Sequence, residues 1–112
     1  MSRKEKIQSE LQRVLSDIIS RGDIHDPRVG NVTVTSVSVS PDMKNARVYF
    51  VPFASKNPVE QVRQGLTHAG GFLRGEVARK LGLRHTPRLE FVFDESIDRA
   101  ARLTELIDKA VK

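Results

Sequence analysis

The chain has 112 residues, a formal net charge of +5 and a pI near 10.0. That length supports one domain, residues 1–112, around one modest core. Charged residues at 29% against 38% hydrophobic exclude a membrane-spanning or disordered chain, and the lack of cysteine excludes disulfides, thiol catalysis and cysteine metal clusters.

Ser2-Arg3-Lys4-Glu5 reads as a capping box opening a helix. Ile7, Leu11, Val14, Leu15, Ile18 and Ile19 then form one apolar stripe, and Arg21 and Gly22 suit the helix exit. This amphipathic start is not a signal peptide, so a cytoplasmic address is expected. Asp26-Pro27 breaks the helix into an extended connection. Val32 to Val39 is rich in β-branched residues and reads as a strand. Its alternation slips phase between Val34 and Val37, which a bulge near Thr35-Ser36 or burial on both faces would explain.

Ser40 to Asn45 carries turn chemistry, and Ala46 to Val51 alternates as a second strand. Pro52 ends that strand or marks it as an edge. Asn57 is the expected cap of the next helix, with Pro58 at its first position and Glu60 at its third. Val59, Val62, Leu66 and Ala69 follow at helical spacing. Gly70-Gly71 interrupts, and the pattern resumes at Leu73, Val77 and Leu81. Paired glycines cost a helix about 2 kcal/mol relative to alanines, so two helices joined at a kink are predicted. Leu89, Phe91 and Phe93 mark a third strand. Asp94 or Ser96 caps a final helix with Ile97, Ala100, Leu103, Leu106, Ile107 and Ala110 inward. The order helix–strand–strand–helix–kink–helix–strand–helix predicts an α+β two-layer domain, a three-stranded sheet with helices on one face. Thr33, Thr35, Ser38 and Tyr49 are candidates for the other face.

The charge is local. Gln61 to Leu89 carries Arg63, Arg74, Arg79, Lys80, Arg84 and Arg88 against the single acid Glu76, and the remainder is formally neutral. A local surplus is what a phosphate-binding surface needs. The kink adds backbone amides at a helix N-terminus, with Arg74 beside it. Arg28 and Arg47 lie outside the basic segment and rank lower. Catalysis finds little support. His25, His68 and His85 match no metal-ligand spacing, Asp94-Glu95 suits a helix start, and no nucleophile elbow or phosphate loop is present. Neither an enzyme nor a cofactor is expected. With few aromatic residues, phosphate and shape recognition of structured RNA fits better than base stacking.

A set of landmarks spans nearly the whole chain. They are Asp26-Pro27-Arg28, the Val/Thr strand running into Ser40 and Asp42, Ala46-Arg47-Val48-Tyr49, Ala69-Gly70-Gly71, Leu73-Arg74, Leu83-Arg84 with Pro87, and Leu89, Phe91 and Asp94. Their order resembles the bacterial ribosome-binding factor A family, built on a type II KH-like domain. Ordinary KH domains grip nucleic acid with a G-x-x-G loop, which this sequence lacks; the resembled family has an Ala-x-Gly kink instead, matched by Ala69 and Gly71. The resemblance implies a monomer that binds the immature 30S ribosomal subunit and assists late maturation of 16S ribosomal RNA, in a role linked to growth in the cold. RNA contacts are expected from Arg74, Arg84, Arg88, Arg79, Lys80, Arg63, Arg28 and Arg47, with Ala69, Gly70 and Gly71 shaping the kink. The alternative is a protein-interaction module docking through the strand Ala46 to Val51 as a sheet edge, or through the open sheet face.

Overall fold

The computed structural model describes residues 2–53 and 56–96. Helix α1 spans Arg3–Ser20 and opens on the expected capping box: Ser2 Oγ accepts from the Glu5 amide at 3.1 Å, and Glu5 Oε2 accepts from the Ser2 amide at 3.3 Å. Its apolar stripe buries Leu11, Val14, Leu15, Ile18 and Ile19. Gly22 then turns the chain at φ +72°, a left-handed position open to glycine.

Strands β1 (Val32–Val39) and β2 (Asn45–Pro52) pair antiparallel through the Ser40–Asn45 turn. In that turn the Asp42 carboxylate accepts from Ser40 Oγ at 2.6 Å and from the Lys44 amide at 3.0 Å, while Met43 takes φ +61°. The register slips between Val34 and Ser36, so Thr35 is a bulge. The bulge puts Val32, Val34, Val37 and Val39 all on the buried face. Burial on both faces is therefore overturned: one extra residue restores the phase.

Strand β3 (Arg88–Phe93) pairs parallel to β2, giving the order β1-β2-β3. The strand Ala46 to Val51 is thus the centre of the sheet, not an edge. Pro52 is tolerated because it ends the strand opposite Val32, beyond the last β3 partner of β2 at Phe50. The outer edge of β1 is covered by α1: Gln8 Oε1 accepts from the Val39 amide at 3.0 Å, and Gln12 Nε2 donates to the Thr35 carbonyl at 3.1 Å.

Helices α2 (Val59–His68) and α3 (Gly70–Leu81) meet at Ala69, with φ −80° and ψ 0°. The predicted kink is there. The predicted Asn57 cap is not: Pro58 takes the N-cap position, and the Asn57 amide group donates to the carbonyls of Pro27 and Arg28, both at 3.1 Å. Tying down the 26–29 turn satisfies two carbonyls that a cap would leave open. Helices α1, α2 and α3 bring Leu11, Leu15, Ile18, Leu66 and Leu73 onto Val39, Val48 and Phe50, all of them essentially inaccessible to solvent. Phe50 and Phe93 meet edge to face at 6.4 Å. Glu95 and Ser96 begin the predicted final helix, with Asp94 Oδ1 accepting from the Ser96 amide at 2.9 Å; its inward residues Ile97 to Ala110 lie outside the described residues.

Candidate nucleic-acid interface

The predicted cations fall into two groups once their partners are known. Arg28 is paired with Asp26 by two bonds, Nε to Oδ1 at 3.0 Å and a terminal nitrogen to Oδ2 at 2.7 Å. Arg63 pairs with Glu60 one turn away, and Arg79 with Glu76 at 2.7 Å. Arg47 faces Glu90 across the β2–β3 register at 3.7 Å. Lys80, Arg84 and Arg88 are exposed and make no ion pair with a described residue. Glu90, an acid within reach of β3 in sequence, is taken by Arg47 instead.

Lys80, Arg84 and Arg88 lie next to or within one turn of the chain. Gly82 ends α3 in the left-handed region at φ +63° and reverses the chain toward β3. Arg74 reaches across from α3 and donates to the Thr86 carbonyl at 3.2 Å, which ties this 82–88 turn to the helix. The Arg88 amide donates to the Lys44 carbonyl at 2.8 Å, so the exposed Lys44 joins the same end of the sheet. Arg74 is thus tied to the turn that carries Arg84 and Arg88 and that follows Lys80 at the end of α3.

At the kink, a Cβ built on Gly70 or Gly71 meets no atom within 4 Å. The glycines therefore do not relieve a clash inside the chain; the bend is carried by the backbone angles of Ala69, and the glycines leave its outer side bare. Gly65, inside α2, is the tight position. Its added Cβ would sit 2.8 Å from Val29 Cγ2 and 3.1 Å from Arg28 Cβ. A glycine in the middle of a helical pattern was the available signal.

Asp26 organises this contact. Its carboxylate also accepts from the Arg28 amide at 3.0 Å and lies 3.6 Å from His68 Nδ1. The Arg28 side chain first, and its amide second, hold the Asp26 carboxyl at about 2, against the usual 3.8. Asp94 is also lowered, by hydrogen bonds from Ser96 and from Thr35 Oγ1. It joins the end of β3 to β1 in a structural role. Among the described residues no group of three His, Asp or Glu side chains is placed to hold a metal ion, and no helix is long and apolar enough to cross a membrane.

The sequence profile of the ribosome-binding factor A family matches residues 3–107. The chain belongs to the ribosome-binding factor A family. A ribosome-binding factor A from Nitrosomonas europaea is 43% identical over 110 residues, covering 98% of this chain and 93% of the relative. The crystal structure of the Thermus thermophilus factor superposes with a TM-score of 0.68 at 31% identity, over 81% of this chain and 96% of that one. A homology model of the Thermus thermophilus ribosome-binding factor A, as fitted into the cryo-EM map of a complex between the 30S subunit and the factor, gives 0.65 at 31% identity, covering 79% of this chain and 91% of that one. Members of the family share the α+β arrangement of helices over a three-stranded mixed sheet seen here.

Proposed function

We propose that this chain binds the free, immature 30S ribosomal subunit in the bacterial cytoplasm and assists late maturation of 16S ribosomal RNA, most needed in the cold. Its ribosome-binding relatives and the 30S complex of a structural neighbour support the partner. The observation that carries the mechanism is that Lys80, Arg84 and Arg88, which make no ion pair with a described residue, lie beside or on the turn that Arg74 pins to α3. Cations already matched within the chain gain less from a phosphate, because the carboxylate must be displaced first. Arg28, Arg63, Arg79 and Arg47 therefore contribute less, although they remain part of the basic surface. Action is by attraction: the factor holds RNA in one state and then leaves, with no bond made or broken.

Sedimentation on a sucrose gradient tests this reading. The protein should travel with free 30S subunits in preference to 50S subunits or whole ribosomes. Lys80→Ala, Arg84→Ala and Arg88→Ala together should release it. Unchanged sedimentation of the triple variant would overturn the assignment of these residues, and indifference between 30S and 50S particles would overturn the partner.

A further inference from the structure

The face of the sheet turned away from the helices has a chemistry of its own. Val48, Phe50 and Phe91 point into the core, so the residues between them stand on the opposite side. Arg88 opens that face at the cationic turn. Ser38, Arg47 and Glu90 lie side by side in the next row, and Ser36, Tyr49 and Val92 in the row after it. Thr35, the bulge residue, then sends its hydroxyl to the Asp94 carboxylate, which closes the far end. Tyr49 is the only tyrosine of the chain and is half-buried; the Thr35 hydroxyl bonds its backbone carbonyl, while its phenol makes no hydrogen bond with a described residue.

This pattern selects the occupant. A protein-docking face needs several apolar side chains at its centre, and the exposed large ones, Phe53, Val59 and Phe72, all lie outside these rows. One ring between a serine hydroxyl and a valine fits a single nucleobase, which stacks by its face and hydrogen-bonds by its edge. The charges give the strand a direction. Arg88 makes no ion pair with a described residue, Glu90 is held by Arg47, and Asp94 stands at the far end. Phosphates are therefore drawn to the Arg88 end, with the base laid inward. Arg88 and Val92 are four residues apart on β3, or about 13 Å, so a strand held at the turn reaches Tyr49 within a few nucleotides. We propose that the open face takes one unpaired base of an RNA strand, stacked on Tyr49, beside the structured RNA whose phosphates meet the cationic turn. The inference rests on the RNA reading of that turn and adds to it a contact that distinguishes unpaired from paired RNA.

The test uses the full chain and two RNAs, a blunt hairpin and the same hairpin with a short single-stranded overhang. The sequence holds one tyrosine and no tryptophan, so its emission reports on Tyr49 alone. The overhang hairpin should quench that emission saturably and shift the amide resonances of Ser36, Tyr49 and Val92. The blunt hairpin should do neither, although it binds the turn. Tyr49→Ser should weaken the overhang hairpin about tenfold and leave the blunt one within about twofold, and Tyr49→Phe should keep full affinity because stacking needs only the ring. Lys80→Ala, Arg84→Ala and Arg88→Ala together should weaken both RNAs, which judges the turn separately. Absence of saturable shifts at the three amides with the overhang hairpin, or equal loss of both RNAs in Tyr49→Ser, would overturn the proposal and leave the role of the turn standing. So would shifts of the same amides by RNA-free 30S proteins in place of the hairpin.

Discussion

Gly65 sits where the 26–29 turn lies directly on α2, and two side chains occupy the space its Cβ would need. Val29 is buried, so its methyl cannot move aside freely. Gly65→Ala gains about 1 kcal/mol of helix propensity but meets an overpacking cost of about 1–3 kcal/mol, so the unfolding midpoint in urea should fall. Gly75→Ala is the matched control, with nothing within 4 Å of the new Cβ in α3; it should stabilise by up to about 1 kcal/mol. Asp26 sets a pH dependence in the same place. Its carboxyl titrates near 3.8 when unfolded and near 2 when folded. Because the folded value is the lower one, this stability is present above about pH 4 and is lost as the pH falls toward 2. Asp42, Glu60 and Asp94 are lowered too and act in the same direction. Asp26→Asn should therefore flatten the acid limb of a stability-against-pH curve without abolishing it, as thermal unfolding between pH 2 and 5 would show.

Among the elements, β1 shows how local chemistry and neighbours divide the work. The valines announce a strand, and its phase slip announces an irregularity; the bulge at Thr35 follows because one sheet face is wet and the other is packed. What protects its outer edge comes from 23 and 31 residues away in the chain, through Gln12 and Gln8. Nothing in a glutamine on a helix face specifies that role, so no reading of α1 alone would find it. Replacing both with Ala should lower stability by about 1 kcal/mol for each bond lost. It should also raise self-association in sedimentation velocity, since the bared edge of β1 can pair with another strand. The kink behaves in reverse. Paired glycines mark where the helix breaks, yet the junction itself falls on Ala69, immediately before them, at φ −80° and ψ 0°.

For the whole molecule, the net charge of +5 divides into matched and unmatched cations, and that division governs how binding responds to salt. Four phosphate contacts on structured RNA, from Arg74, Lys80, Arg84 and Arg88, imply a log–log slope of about −3 to −4. Removing Lys80, Arg84 and Arg88 should bring it to about −1. Removing Arg63 and Arg79, each held by a carboxylate one turn away, should change it far less. Affinity for protein-free 16S ribosomal RNA measured across a salt series distinguishes the two sets. Equal effects from both would show that internal pairing does not protect a cation from the polyanion.

Most helix and strand identities, the capping box, the phase slip in β1 and the interruption at Gly70-Gly71 follow from the sequence, because each depends on residues within a few positions of one another; that the slip is a bulge was decided by the packing of one sheet face. The basic segment was legible too, since charge is additive along a chain. The centre of the sheet was not: β2 looks like an edge through Pro52 and becomes the middle strand only when β3, nearly forty residues later, pairs with its free side. The folded structure likewise decided which of the described cations meet a carboxylate, as Arg28, Arg47, Arg63 and Arg79 do. Those outcomes depend on distances between segments remote in sequence, and a one-dimensional pattern carries no information about such distances.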